Sequence, residues 1–286
     1  MEKLFTRSPD GCRYAYIRIG DEKGNPPLLL LSHFRATIDM WDPALLEKLS
    51  ADRAVIAVDN RGIGLSDGTT PDTVGAMAEA IAAFMTSLGL TGAEADVLGF
   101  SLGGYTAQEL ARERPDLVRR LILAGTAPRG SGVDIAARGR VRRIITKQVI
   151  GPKDLVHLFF PPTPAGRAHG VEHLRRLSAH PPGPAVTEPS WRAQLAAAAE
   201  WGTRGRPADL TQPTFVAHGE LDIMVAAEKG VALASRLPNA ELKIYPGTGH
   251  GFLFQEYEEF SADVLRFLHT NSPHTNSPTP RFPRWR

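Results

Sequence analysis

The chain has almost no cysteine, the residue that cross-links many folds and binds zinc in many structural sites. Its 286 residues include one cysteine, Cys12, and a single cysteine excludes an internal disulfide. No cluster of cysteine and histidine residues has the spacing of a zinc site. We therefore expect a protein that uses neither a metal nor a cofactor.

Long apolar runs are also absent. No stretch approaches the roughly 18 consecutive apolar residues of a membrane span, and the longest candidate, residues 26–31, has the length of a strand. The first sixteen residues lack the apolar core of a signal peptide. The sequence therefore predicts a soluble, cytoplasmic protein without a membrane span.

The overall composition is that of an ordinary globular protein, with 42% hydrophobic and 22% charged residues. The 27 glycines and 23 prolines supply many turns. At about 150 residues per domain the length suggests two domains, although one α/β domain often reaches roughly 200–250 residues.

The net charge of +2 hides an uneven distribution. Residues 129–206 hold thirteen Lys and Arg against five Asp and Glu, a balance of +8, and residues 270–286 add three Arg and no acid. We favour the interpretation that a basic segment packs on an acidic body; the alternative is a positive rim that attracts anionic substrates. Aromatic residues are not interleaved with the basic ones in a nucleic-acid-binding motif, so we expect a small-molecule substrate and no nucleic acid.

Short apolar runs alternate with helical patterns along most of the chain, which is typical of a parallel sheet covered by helices on both faces. We predict an α/β fold with a mostly parallel central sheet of about eight strands. The strands expected from the apolar runs span residues 14–19, 28–31, 55–58, 97–100, 121–124, 214–217 and 242–245. The helical patterns span residues 73–88, 102–114, 226–237 and 252–268.

This alternation stops between residues 127 and 207. The segment contains a basic helical pattern around residues 138–143, an apolar cluster at 155–160, helix-breaking prolines and a second helical stretch at 191–201. We predict a helical cap, residues 129–206, inserted between core segments 1–128 and 207–269. The tail, residues 270–286, continues a tandem HTNSP repeat and is rich in Pro, Ser and Asn, so we expect it to be disordered.

The sequence Gly99-Phe100-Ser101-Leu102-Gly103-Gly104 lies between a predicted strand and a predicted helix. That context is the one required of the G-x-S-x-G nucleophile elbow, in which a strand turns into a helix at the serine. Side chains on the flanking glycines would collide within such a turn. We therefore predict that Ser101 is a catalytic nucleophile.

A serine hydroxyl is a weak nucleophile and needs a base that is itself oriented by a carboxylate. Of the nine histidines, His250 alone lies among close glycines in a loop after the last predicted strand. Asp222 follows the strand before it, 28 residues ahead of His250, and Glu220 is the alternative carboxylate, closer to the strand. The predicted order of the triad is Ser101, Asp222, His250.

These motifs resemble the α/β-hydrolase superfamily, and the resemblance covers residues 5–268. Residues 59–66, DNRGIGLS, are similar to the D-x-R-G-x-G-x-S segment of that family, and His218-Gly219 with Asp222 is similar to its H-G-x-x-D acid loop. The resemblance implies an oxyanion hole formed by the backbone N–H groups of Leu102 and Phe34. His33 stands where relatives have a glycine, so either the turn differs or His33 has an unusual backbone angle.

Members of the superfamily that open epoxides or remove halide use an aspartate at the elbow, so the serine here excludes both activities. We expect hydrolysis of a carboxylic ester or lactone through an acyl-enzyme. The alternatives are a carbon–carbon bond hydrolase of a ring-cleavage pathway, a cofactor-free perhydrolase and a non-catalytic small-molecule binder. The oligomeric state is open.

The aromatic residues of the predicted cap either line an apolar substrate pocket or anchor the cap. They are Phe159, Phe160, Trp191 and Trp201. His33 either contacts the substrate or makes a structural hydrogen bond.

Overall fold

The fold is seen in a computed structural model, which describes residues 1–270 except 22, 93, 133–138, 180, 182, 204 and 206–209. These residues form eight strands: β1 Leu4–Arg7, β2 Arg13–Ile19, β3 Leu28–Leu31, β4 Val55–Val58, β5 Ala95–Phe100, β6 Val118–Ala124, β7 Thr214–Gly219 and β8 Ala240–Tyr245. They also form ten α-helices: α1 Pro43–Leu49, α2 Val74–Ser87, α3 Leu102–Glu113, α4 Gly139–Ile145, α5 Pro152–Phe159, α6 Pro164–Leu177, α7 Glu188–Thr203, α8 Ala227–Ala234, α9 Phe252–Gln255 and α10 Tyr257–His269.

The eight strands form one sheet in the order β1-β2-β4-β3-β5-β6-β7-β8. The pairs β1–β2 and β2–β4 are antiparallel, and the other neighbours are parallel. This confirms the predicted fold class. The strand that the sequence pattern missed is β1, a four-residue edge strand without a fully buried residue.

The central strands are apolar throughout because helices cover both faces of the sheet. In β3, Leu28 and Leu30 pack into the cluster that contains α1 and α10, whereas Leu29 and Leu31 pack into the cluster that contains α2, α3 and α8. Successive strand residues point to opposite faces, so a strand buried on both sides reads as a continuous apolar run. No helix within the described ranges is long and apolar enough to cross a membrane.

Helices α4–α7 stand between β6 and β7 in the chain, at the place predicted for a cap. Asp42, the N-cap residue of α1, joins this segment to the core: its Oδ2 lies 2.7 Å from Nδ1 of His173 and 2.6 Å from Nη2 of Arg176, both on α6. Arg129 also lies 3.7 Å from Glu109 of α3. Basic residues of this segment thus contact acidic residues of the core. The predicted end of the cap at residue 206 and the predicted tail beyond residue 270 lie outside the described residues.

Candidate active site

Ser101 joins β5 to α3 in a backbone conformation that few residues other than glycine adopt. Its φ is 55° and its ψ is −114°. Two hydrogen bonds hold this turn: Ser101 N donates to the carbonyl of Ala124 at 2.9 Å, and Thr126 Oγ1 donates to the carbonyl of Ser101 at 2.9 Å. Strained backbone of this kind persists where the surrounding structure over-determines it, and it clusters at functional sites.

The glycines on either side of Ser101 are required by close packing. A Cβ atom at Gly99 would lie within 3.0 Å of the carbonyl oxygen of Gly103, and a Cβ atom at Gly103 would lie within 3.0 Å of the carbonyl oxygen of Leu31. Real Cβ atoms do not make such contacts. Glycine at these positions lets the first turn of α3 lie close to the end of β3. The same close approach brings α3 near the loop that follows β3.

The loops after β7 and β8 bring Asp222 and His250 together. Nδ1 of His250 donates to Oδ2 of Asp222 at 2.6 Å, and both side chains are buried. The other oxygen of Asp222, Oδ1, accepts the N–H groups of Met224 and Val225 at 2.7 and 2.9 Å. Nε2 of His218 lies 3.3 Å from Oδ2.

These contacts keep Asp222 ionised. Burial by itself raises the pKa of the Asp222 carboxyl, but the attraction of His250 and the hydrogen bonds from His218 and His250 outweigh it. The pKa therefore lies well below the ordinary value. An ionised carboxylate only accepts hydrogen bonds, which assigns the proton on His250 to Nδ1 and leaves Nε2 as the acceptor.

Glu220, the alternative carboxylate, has a different position. Its side chain is exposed, and Oε2 accepts the N–H of Gly247 at 2.8 Å. Glu220 thus supports the base of the loop that carries His250, whereas Asp222 contacts the imidazole itself.

The loop after β3 carries two features that the sequence left open. His33 does not have a positive φ; the left-handed residue is Arg35, with φ 59°. His33 therefore has no unusual backbone angle, and the strained residue of this loop lies two positions after it. Within the described ranges, neither the N–H of Phe34 nor that of Leu102 has a hydrogen-bond acceptor. Phe34 borders the same cavity as Ser101, and Leu102 directly follows the serine.

His33 is a buried, neutral side chain. Nδ1 lies 2.9 Å from the carbonyl oxygen of Phe34, so it carries the proton and donates. Burial, with help from His250 and His173, lowers the pKa of His33 to about 3 against the opposing effect of the Phe34 carbonyl. The ring packs by its edge against Phe100 and Phe159, with centroids 5.3 and 5.0 Å away. His33 makes the structural hydrogen bond and also borders the cavity described next.

Ser101 and His250 face one cavity of about 210 Å³. No hydrogen bond joins the two side chains; catalytic hydrogen bonds are often long before substrate binds. Among the described residues of the lining, the only charged side chain belongs to Arg35, and its guanidinium is engaged with three backbone carbonyls. The other lining residues are His33, Phe34, Met40, Ile145, Gln148, Val149, Ile150, Leu155, Leu158, Phe159, Ala185, Val186 and Met224.

Phe159 is the one predicted aromatic cap residue that lines this cavity. Its carbonyl also accepts the N–H of Gly251 at 2.7 Å, which joins the end of α5 to the loop of His250. Most of the cap residues in the lining come from the chain between α4 and α5 and from α5 itself. The sequence pointed to this region only through its apolar cluster at residues 155–160.

The other three aromatic residues, Phe160, Trp191 and Trp201, lie outside the lining of this cavity. Trp201 stacks on Tyr105 at 5.5 Å and donates from Nε1 to the carbonyl of Ala127 at 3.3 Å. The guanidinium carbon of Arg35 lies 5.2 Å from the ring centre of Trp191. The ring centres of Phe160 and His173 are 5.6 Å apart. Trp191 and Trp201 thus join the cap to the core, whereas the contact of Phe160 with His173 lies within the cap.

Metal-binding groups are not evident at the site. The part of the chain that the structure describes holds no group of three or more His, Cys, Asp or Glu side chains placed to bind a metal ion.

Known proteins are similar to this chain in sequence and in fold. Residues 29–264 match the family model described as the Alpha/beta hydrolase family. A solved alpha/beta hydrolase fold protein from Chitinophaga pinensis is 34% identical, with a TM-score of 0.87 over 94% of this chain and 97% of that one. A relative provisionally named carbamate hydrolase RutD, from Rhizobium rhizogenes, is 28% identical over 86% of this chain and 93% of its own. The pimeloyl-[acyl-carrier protein] methyl ester esterase of Nitrosomonas europaea is 26% identical over 86% of this chain and 97% of its own.

Proposed function

Because the chain belongs to the alpha/beta hydrolase family, we propose that it hydrolyses a carboxylic ester or lactone through an acyl-enzyme on Ser101. The observation that carries this proposal is the set of groups that meet at one cavity. Ser101 and His250 border it, and Asp222 binds Nδ1 on the far side of the imidazole. Among the described residues, the N–H groups of Leu102 and Phe34 have no hydrogen-bond acceptor. Nucleophile, base, orienting carboxylate and oxyanion donors are the parts that acyl transfer requires.

In the first half of the reaction, Ser101 Oγ attacks the carbonyl carbon while Nε2 of His250 takes its proton. Asp222 stabilises the imidazolium that forms, since its carboxylate stays ionised beside Nδ1. The carbonyl oxygen gains negative charge, and in this proposal the N–H groups of Leu102 and Phe34 stabilise it. When the carbonyl re-forms, the ester C–O bond breaks and His250 gives its proton to the leaving alkoxide oxygen.

In the second half of the reaction, water attacks the acyl-enzyme through the same two steps. A water molecule gives a proton to Nε2 of His250 as its oxygen attacks the acyl carbon. The tetrahedral intermediate then expels Ser101 Oγ, which recovers the proton from His250. The products are an acid and an alcohol, joined in one molecule if the substrate is a lactone.

The cavity supports a neutral substrate of small to medium size. About 210 Å³ bordered by Ile, Leu, Val, Met and Phe side chains suits an apolar acyl group, and the lining offers no unengaged charge to an anion. Arg142 and Arg143, on the predicted basic helix, are exposed and do not border the cavity. The names of the two relatives, a carbamate hydrolase and a methyl ester esterase, favour cleavage at a carbonyl bonded to a heteroatom over carbon–carbon cleavage.

The test is covalent labelling with a fluorophosphonate, followed by kinetics on neutral esters and lactones. We expect one label, on Ser101, and a fall in kcat of about 10⁴–10⁶-fold in Ser101→Ala. Ser261→Ala, which alters another buried serine, is the matched control and should keep wild-type kcat. Near-normal turnover in folded Ser101→Ala would exclude the proposed nucleophile. Preference for a vinylogous diketone, or for peroxide in place of water, would favour the carbon–carbon hydrolase or the perhydrolase.

A further inference from the structure

The side chain of Arg35 connects the oxyanion loop, residues 32–35, to the cap. Its Nη1 donates to the carbonyls of Ile145 and Lys147 at 3.1 and 2.6 Å, and its Nη2 donates to the carbonyl of Gln148 at 2.9 Å. Ile145 is the last residue of α4, and Lys147 and Gln148 lie two and three residues after it. The last carbonyls of a helix lack intrahelical partners and attract a cation, so the guanidinium is well suited to close this helix end.

The backbone of Arg35 is held by a second cap helix. Arg35 N donates to Oε1 of Gln194 at 2.9 Å, and Gln194 is a buried residue of α7. The guanidinium also lies 5.2 Å from the ring centre of Trp191, one turn earlier on the same helix. Arg35 therefore contacts α4 and α7 at once, through its backbone and its side chain.

These contacts surround a residue in an unfavourable conformation. The φ of Arg35 is 59°, in the left-handed region where a side chain on Cα is rarely found. The turn continues at Ala36, whose N–H donates to the carbonyl of His33 at 3.2 Å. An arginine in this conformation needs support from its surroundings, and here the cap supplies it.

The residue before Arg35 is Phe34, whose N–H we assign to the oxyanion hole. That N–H lies at the start of the turn that runs from His33 to Ala36 and includes Arg35, so a change in this turn should reorient it. By contrast, the Leu102 N–H begins α3, and the contact between His250 and Asp222 joins two loops of the core. The cap also meets the His250 loop, where the carbonyl of Phe159 at the end of α5 accepts the N–H of Gly251. The Phe34 donor is the part of the site that depends on α4 and α7.

We propose that Arg35 is a positioning residue that couples the cap to the oxyanion hole: its contacts with α4 and α7 stabilise the left-handed turn that points the Phe34 N–H at the reacting oxygen. This inference rests on the proposed ester hydrolysis for its catalytic meaning. Seating of the cap over a substrate would then complete the oxyanion hole, so a cap out of place would leave Ser101 without its second donor.

The variants Arg35→Ala and Arg35→Gly separate the turn from the anchoring of the cap. Both remove the guanidinium, but glycine adopts a positive φ without the steric cost that alanine meets. Arg192→Ala is the control, since Arg192 lies 4.9 Å from the same Trp191 ring centre but is exposed and pairs with Glu188. We measure kcat and KM for a good ester and the affinity for an alkyl boronic acid, whose tetrahedral adduct places an oxygen in the oxyanion hole.

We expect kcat and boronate affinity to fall together by about 10–10³-fold in Arg35→Ala, up to the cost of losing one oxyanion donor. KM should change little, and Arg35→Gly should recover at least ten-fold in kcat. Equal losses in the two variants, or a loss confined to KM, would overturn the proposal and leave Arg35 as a cap anchor. A loss in Arg192→Ala as large as that in Arg35→Ala would overturn it as well.

Amide hydrogen exchange provides a readout that does not depend on hydrolysis. Exchange at residues 33–36 should rise in Arg35→Ala and in Gln194→Ala, while the first turn of α3 stays protected. Gln194→Ala keeps the guanidinium, so it also serves if Arg35→Ala folds poorly. Unchanged exchange at residues 33–36 would refute the coupling. If the wild-type protein hydrolyses no ester or lactone but exchange still rises in the variants, the proposed hydrolysis is wrong while the coupling stands.

Discussion

Nδ1 of His250 donates a 2.6 Å hydrogen bond to Asp222, and the carboxylate is held in place from its other side as well. Oδ1 accepts two backbone N–H groups, from Met224 and Val225, and Nε2 of His218 lies 3.3 Å from Oδ2. The orientation of the imidazole is therefore set by the acid loop before any substrate arrives. Removing the charge of Asp222 should affect the base and little else.

Asp222→Asn should lower kcat by about 10⁴-fold, because a neutral amide no longer stabilises the imidazolium or selects the tautomer with a free Nε2. Glu220→Gln is the matched control on the same loop. The Glu220 side chain is exposed, and the hydrogen bond described for it is one that it accepts from the backbone N–H of Gly247. The kcat of Glu220→Gln should therefore stay within about three-fold of wild type. Steady-state kinetics on one ester decide between them, and a larger loss in Glu220→Gln would show that the acid is misassigned.

Gly103→Ala should destabilise the fold, since the added Cβ would collide with the carbonyl oxygen of Leu31. Overpacking of this kind costs about 1–3 kcal/mol and sometimes more. Gly75→Ala, on α2, is the matched control: a Cβ there meets nothing within 4 Å, so helix propensity should raise stability by up to about 1 kcal/mol. Urea unfolding of both variants tests the pair. Equal stabilities would mean that α3 and β3 are not packed so closely.

The parts of the fold that the sequence predicted are those that depend on local pattern. Continuous apolar runs such as residues 28–31 identify strands buried on both faces, and the glycines around Ser101 identify a turn that excludes Cβ atoms. The structure brings Asp222 and His250 into contact, as their places after successive strands of a parallel sheet led us to expect. Each of these features depends on residues close in sequence or on the shared edge of parallel strands.

The features that the sequence did not predict depend on contacts between distant segments. Arg35 and Gln194 are 159 residues apart, and Asp42 and His173 are 131 residues apart. Nothing near Arg35 in the sequence requires a left-handed turn, because its support comes from helices of the cap. Phe159 and Trp201 are both apolar aromatic residues of the cap, and only the packing of the helices decides which one borders the cavity.

Asp42→Ala should weaken the attachment of the cap by leaving Arg176 and His173 without their buried partner. Breaking one side of a buried ion pair typically costs about 3–5 kcal/mol. Asp42 Oδ1 also accepts the N–H of Ala44 as the N-cap of α1, so Asp42→Asn is the control that keeps a capping oxygen. We expect the loss of unfolding free energy to be larger in Asp42→Ala than in Asp42→Asn.

The contribution of the Asp42 charge should also depend on pH. Burial raises the pKa of Asp42, but His173 and Arg176 outweigh it, so the pKa lies below its ordinary value of 3.8. A lowered pKa gives stability that is present above the ordinary value and is lost as pH falls through the folded one. The stability difference between wild type and Asp42→Asn should therefore shrink on acidification below about pH 4. A constant difference would mean that the charge of Asp42 contributes nothing.

His33 should make the protein less stable in mild acid, for the opposite reason. Its pKa is about 3 in the folded protein and 6.5 ordinarily, so between these values the unfolded chain binds a proton that the folded chain does not. Stability then falls as pH falls, by about 2 kcal/mol between pH 7 and pH 5. His33→Asn cannot titrate, and its side-chain N–H can still donate to the carbonyl of Phe34. Urea unfolding at the two pH values should show a smaller decrease in the variant by about that amount. Equal decreases would mean that His33 accepts a proton in the folded state, and the neutral ring beside Phe100 and Phe159 would have to be abandoned.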